Sequence, residues 1–186
     1  MSKEYKVLTT QVFAHGEYSI VPIRDQDRYD IMQWRNEQIY HLRQAEPLTK
    51  ERQDAYFDNV ISSLFEQEKP HQILFSFLKK GECIGYGGLV HINWQDKHAE
   101  ISFIMNTELE ENFFVSNWKM FLTLIESVAF RELNLNKIVT YAFDLRPQIY
   151  TIFEQCGFKE EARLKEHVFY NGHFINVVIH GKLNKN

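Results

Sequence analysis

The stretch PQIYTIFEQCGFKEEARLKEHVFYNGHFINVVIHGKL, from Pro147 to Leu183, constrains the fold more than any other. Pro147 suits the first turn of a helix, where its missing amide donor would have no intrahelical partner anyway. Gly157 suits the residue just past the end of that helix, where the backbone turns left-handed. Two strands follow, EARLKEHVFY and HFINVVIHGKL, joined at Asn171-Gly172, a pair that fits a type I′ turn. A helix that ends so sharply and hands over to a hairpin belongs to a layer of sheet with helices packed on it.

The rest of the chain reads the same way. YKVLTTQVFAHGEYSIVPIR alternates and turns at His15-Gly16, giving a hairpin whose second arm is 18–23. Asp25 is placed to cap a helix that turns Ile31, Met32 and Trp34 inward. Thr49 caps a second helix with an apolar stripe of Tyr56, Val60, Leu64 and Phe65. QILFSFLKK and CIGYGGLVHI pair across KKGE, and WQDKHAEISFIM adds a turn and another strand. SNWKMFLTLIESVAFREL is a long amphipathic helix, with Trp118, Phe121, Leu122, Ile125 and Val128 or Ala129 at helical spacing. NKIVTYAF is a buried strand. No repeat or linker interrupts this order, and 186 residues suit a single domain over 1–186. The fold class is α/β (α+β), one mixed sheet of roughly seven strands flanked by roughly four helices.

Several function classes are disfavoured. A net charge of −4 argues against a nucleic-acid binder, which normally shows a basic face. No apolar run is long enough to span a membrane, and MSKEYKVLTT has no apolar core of a signal peptide. Cys83 and Cys156 are two isolated thiols and make no disulfide framework, so a cytoplasmic location is expected. The histidines show no metal-ligand spacing, and no nucleophile-elbow motif supports a Ser-His-Asp triad. Folding 163–180 about Asn171-Gly172 without a bulge sets His173 opposite Tyr170 and His180 opposite Arg163.

Four phrases, MQWRNE, AEISFIM, AFRELNLNKIVTYAF and IFEQCGFKEEARLKEHVFYNGHF, resemble the GNAT superfamily of acyl-CoA-dependent N-acyltransferases. The likeness runs from Tyr18 to Leu183. The C-terminal phrase is similar to the branch that acetylates ribosomal-protein N-termini. WRNE is similar to the branch that acetylates nucleotide-linked amino sugars. The resemblance implies a GNAT fold, acetyl-CoA as co-substrate, no metal, and direct transfer to a primary amine. The acceptor partner would be a small-molecule amine, such as an amino sugar nucleotide, or a peptide N-terminus; a homodimer is compatible with it. In this family the strand before the long helix splays from its neighbour and pairs with the pantetheine arm. Here that role falls on Phe103, Ile104 and Met105. The diphosphate sits on amides at the helix N-terminus, which here would be Ser116, Asn117, Trp118 and Lys119.

The residues at these positions depart from the family pattern. Counting back from AFRELNLNKI without gaps, the family's Gly-x-Gly turn falls on Ser116-Asn117-Trp118. Glu108, Glu110 and Glu111 precede it and would oppose a diphosphate. The family's Asn falls on Arg146, which offers positive charge to a phosphate. The Tyr that protonates the leaving thiolate falls on Phe153, which has no donor. Glu100 is the candidate base, with His91 secondary to it. Tyr150, one helical turn before Phe153, is the candidate proton donor. Trp34, Arg35 and Asn36 border the acceptor groove by resemblance. A second reading stays open: a GNAT scaffold that no longer uses acetyl-CoA and serves as a binding or regulatory module.

Overall fold

In the computed structural model, which describes residues 3–185, the expected hairpins and helices assemble into one sheet with helices on both faces. The strands are β1 (Phe13–His15), β2 (Tyr18–Pro22), β3 (Ile73–Lys79) and β4 (Glu82–Asn93), then β5 (His98–Met105), β6 (Lys137–Phe143), β7 (Lys159–Tyr170) and β8 (His173–Leu183). They make an eight-stranded sheet in the order β1-β2-β3-β4-β5-β6-β8-β7. Every pairing is antiparallel except β5 with β6. The helices are α1 (Arg28–Glu37), α2 (Lys50–Ala55, continuing to Leu64), α3 (Glu110–Glu126) and α4 (Gln148–Gln155). None of them is long and apolar enough to cross a membrane.

Local chemistry explains most boundaries. Thr49 Oγ1 accepts from the Arg52 amide, so the expected cap of α2 forms. Asp25 does not cap α1; it lies in a short 3₁₀ turn, Asp25–Asp27, and pairs with Lys3 and Arg28 instead. The inward stripe of α2 is Phe57, Ile61, Leu64 and Phe65 rather than one led by Tyr56 and Val60. A π-helical segment over Tyr56–Ile61 widens the turn and rotates the stripe by one residue. Helix α4 ends as anticipated. Gly157 has φ +85°, its amide donates to the Glu154 carbonyl, and the Phe158 amide reaches back to Phe153.

The last hairpin turns at Asn171 (φ +46°) and Gly172 (φ +83°). Tyr170 faces His173 there, but His180 faces Glu160, not Arg163. Bulges between Glu160 and Ala162 and between Leu164 and Val168 shift the register. In β4, glycines permit close packing of strands. A Cβ on Gly88 would lie 2.0 Å from the Ile73 carbonyl oxygen, and one on Gly87 would lie 2.2 Å from that of Ser102.

Candidate active site

β5 and β6 pair only over His98–Glu100 and Lys137–Val139. Beyond that point β5 runs on to Met105 and β6 to Phe143 as separate edges. The Met105 carbonyl accepts from Gln38 Nε2 at 2.8 Å, so it faces away from β4. By the two-residue alternation of an antiparallel ladder, Ile101 and Phe103 also turn their main-chain groups away from β4. The Phe103 groups and the Ile101 carbonyl have no strand beside them, whereas the Ile101 amide is used in the Glu100–Val139 pairing with β6. The main-chain groups of Ile104 point into β4, where Ile104 pairs with Tyr86. Of the expected trio, Phe103 therefore offers the free edge, Ile104 does not, and Met105 has its carbonyl engaged.

The parted strands open a cleft of about 500 Å³ that reaches both faces of the sheet. On one side it is walled by Trp118 of α3 and Phe153 of α4, whose rings meet edge to face at 5.6 Å. Phe103 completes this wall, 4.8 Å from Trp118. The indole is buried against these rings and leaves the strands apart. Phe153 is fully buried and adds no donor to the cleft. Behind it, Thr140 Oγ1 and both ring nitrogens of His180 are buried without hydrogen-bond partners. Burial lowers the His180 pKa and keeps its ring neutral.

The other side is polar. Glu100 lines it with a side chain 13% exposed. One carboxylate oxygen accepts from Arg43 Nη2, and the other meets His91 Nδ1 at 3.0 Å. A bulge between Val90 and Asn93, with His91 at φ +49°, aims that imidazole at Glu100. The Arg43 guanidinium also stacks 4.6 Å from the Tyr141 ring. Farther along β4, Arg35 Nη1 donates to the Tyr86 hydroxyl, and Arg35 Nε donates to Gln44 Oε1 at 2.8 Å.

The end of the cleft near the α3 N-terminus differs most from expectation. Helix α3 follows β5 almost at once, through a 3₁₀ turn at Thr107–Leu109. Asn106 Oδ1 accepts from the Glu108 amide and caps it. Ser116, Asn117, Trp118 and Lys119 therefore lie inside the helix, where their amides are spent on the preceding turns. They cannot form a cradle at its N-terminus. Ser116 is exposed, and Asn117 is buried beside a second cavity with Ile84 and Leu109. Lys119 stands two turns too far along the helix to meet an anion at its start. Arg146 is in the cleft, but Glu110 holds it: Nη2 meets Glu110 Oε1 at 2.7 Å, with side chains 10% and 21% exposed. Its other nitrogen donates to His41 Nε2 at 2.6 Å, and Phe114 lies under the guanidinium. Burial, then Arg146, pushes the His41 pKa down to about 3, so the ring is a neutral acceptor.

The remaining expectations divide. Tyr150 is not a proton donor to the cleft. Its hydroxyl donates to Asp144 Oδ1 at 2.9 Å, and burial and that carboxylate raise its pKa. Trp34 is packed in the core. Asn36 brackets Leu48, bonding both its amide and its carbonyl, and so holds the 42–48 loop. Arg35 and His91 do line the cleft. Sequence reasoning missed His41, Arg43 and Tyr86, and it placed Glu110 near the phosphate site only as an opposing charge, not as the partner of Arg146. Among these, Tyr86 alone carried a local signal, since it stands among Gly85, Gly87 and Gly88 on a buried strand. Among the described residues no group of His, Cys, Asp and Glu could hold a metal ion.

A sheet that parts between its parallel strand pair, with a cleft at the parting, is the architecture that the resemblance in the sequence implies. The chain belongs to the acetyltransferase (GNAT) domain family, whose model matches residues 20–179. It is 31% identical over 94 residues to the spermidine N(1)-acetyltransferase of Vibrio cholerae, covering 50% of this chain and 53% of that one. The chain thus spans about half the length of the curated relative it matches. The fold is similar to that of the Vibrio cholerae spermidine N-acetyltransferase in complex with CoA and spermine. The TM-score is 0.76 at 22% identity, over 91% of this chain and 97% of that one. A dodecameric structure of spermidine N-acetyltransferase from the same organism superimposes with TM-score 0.71 at 22% identity, over 91% and 95%.

Proposed function

We propose that this chain moves an acetyl group from acetyl-CoA to the primary amine of a small molecule by direct attack. The parting of β5 and β6 beyond Glu100 carries this reading. The free edge at the Ile101 carbonyl and Phe103 fits an extended amide-bearing arm, which would add to the sheet as a strand does. Acetyl-CoA supplies the acyl group as an activated thioester. The rings of Trp118, Phe153 and Phe103 keep water from that side of the cleft. The amine approaches from the polar side.

Arg43 Nη2 donates to one oxygen of Glu100, and the other oxygen accepts from His91 Nδ1 and orients the ring. The outward Nε2 is then free to take the proton that an ammonium must lose before it can attack. His91 is the base in this scheme, and Glu100 positions it. With no donor on Phe153, the departing thiolate takes its proton from bulk water as it leaves the cleft. The acceptor readings are an amino sugar on a nucleotide carrier or a protein N-terminus; the relatives' names add spermidine.

The test is calorimetric titration with acetyl-CoA together with thiol release in the presence of amines. Saturable binding and amine-dependent release are expected, with release falling about a hundredfold in His91→Ala, in line with loss of a general base. In Glu100→Gln kcat should fall with little change in the KM for the amine, because the imidazole loses the carboxylate that orients it. No binding up to millimolar acetyl-CoA would sink the proposal. It would favour the second reading, a binding or regulatory module, which the Glu110–Arg146 pair supports by filling the phosphate end with the protein's own carboxylate.

A further inference from the structure

Three arginines line the cleft: Arg35, Arg43 and Arg146. Two have carboxylate partners, Glu100 for Arg43 and Glu110 for Arg146. Arg35 has none among the described residues. Its partners are neutral, the Tyr86 hydroxyl and the Gln44 side-chain oxygen. A half-buried guanidinium without a counter-charge is costly in a folded chain unless a ligand completes it.

The groups around it point the same way. The Tyr86 oxygen already accepts from Arg35, so its own hydroxyl proton remains to be donated. The Tyr56 oxygen accepts from Gln72 Nε2 at 2.9 Å, and its hydroxyl proton likewise has no acceptor among the described residues. Arg35 Nη2 makes no hydrogen bond there either. Arg35, Tyr86, Tyr56 and Gln72 all line the same end of the cleft. That end presents a fixed positive charge and unspent donors, and no carboxylate. It is suited to the oxygens of an anion and repels an ammonium.

From these observations we infer that the acceptor carries an oxyanion, a phosphate or a carboxylate, which seats on Arg35, Tyr86 and Tyr56 while its amine faces Glu100 and His91. The inference rests on the reading of the chain as an amine acyltransferase. Tyr86 and Val90 lie on one face of β4, and Val90 is opposite Glu100. Four residues of strand separate the two subsites by about 13 Å at the level of the main chain. Side chains reach inward from both ends, so the acceptor's amine and anion lie a sugar's length apart or somewhat more. A polycation such as spermidine brings the wrong sign to the Arg35 end.

The experiment compares matched acceptors. Glucosamine 6-phosphate is set against glucosamine, 6-aminohexanoate against hexylamine, and spermidine stands as the polycation. Thiol release from acetyl-CoA is followed with the parent chain and with Arg35→Met and Tyr86→Phe. The charged member of at least one pair is expected to show kcat/KM on the order of tenfold or more above its neutral mate, the effect of one charge-assisted contact. Which pair responds tells phosphate from carboxylate. Arg35→Met should bring the ratio to about one, the full loss of that contact, and Tyr86→Phe should lower it several-fold. Equal rates within both pairs, or spermidine as the better substrate, overturn the inference. If no acceptor is turned over, the transferase reading fails, and binding alone decides the subsite. Saturable binding of glucosamine 6-phosphate or 6-aminohexanoate to the protein alone, lost in Arg35→Met, still supports it; no binding overturns it.

Discussion

Glu110→Gln should weaken the fold and strengthen CoA binding at the same time. Glu110 and Arg146 meet at 2.7 Å with only 21% and 10% of their side chains exposed. At an effective dielectric near 20, charges about 4 Å apart attract by about 4 kcal/mol, and desolvation offsets much of it. Arg146 keeps its bond to His41 and its contact with Phe114 after the change, and the new amide can still accept a hydrogen bond. The net loss is therefore set at about 1–2 kcal/mol, below the range for a fully buried pair broken outright. In a chain this size that lowers Tm by roughly 2–8 °C. The same energy no longer has to be overcome when a diphosphate claims the guanidinium, and a like charge has left its path. CoA affinity should then rise about tenfold, since 1.4 kcal/mol corresponds to that factor. Thermal unfolding and calorimetric titration with CoA give both numbers. A less stable variant whose CoA affinity is unchanged or lower would refute Arg146 as the phosphate's counter-ion.

Gly88→Ala should cost about 3 kcal/mol or more, because its Cβ meets main-chain atoms of Ile73 that cannot step aside; a Tm within the parent's error would refute the close approach of β3 and β4. Stability should fall as pH drops below 6.5, where the unfolded chain protonates His41 and the folded chain, with that pKa near 3, does not. The contribution is present above pH 6.5 and is lost toward pH 3, at a limiting slope of about 1.4 kcal/mol per pH unit. Denaturant titrations across this range should give a flatter curve for His41→Asn; parallel curves would count against it. Phe153→Tyr places a donor in the cleft wall and should raise thiol release several-fold where protonation of the thiolate limits turnover; an unchanged rate would show that it does not.

What the sequence made legible is what neighbouring residues decide. Gly157 after a helical stripe and Asn171-Gly172 between alternating strands carry their conformations with them, and both elements form where expected. The α3 N-terminus was also legible. Asn106 followed by Glu108, Glu110 and Glu111 is a side-chain cap with acids in the first turn, the charge a helix dipole favours there. Alignment to the family's glycine turn set that signal aside and moved the phosphate site to residues 116–119. The cluster of His41, Glu110 and Arg146 was not legible, since its members come from a short 3₁₀ turn after α1, a helix start and a strand exit, joined only by the fold.

The two ends of the cleft answer the same electrostatic problem differently. At the α3 end the protein supplies its own carboxylate to an arginine, so a bound anion must compete for it. At the Arg35 end no such carboxylate is supplied, although Tyr86 and Tyr56 stand ready to donate. A chain that neutralises one buried guanidinium internally and leaves another to neutral partners has built a difference between them. Pairing at Arg146 favours the ligand-free chain, while the open donors at Arg35 favour whatever anion arrives with the amine. Loss of the Arg35 charge should therefore stabilise the free protein slightly even as it weakens acceptor binding, the reverse of what a structural arginine would do.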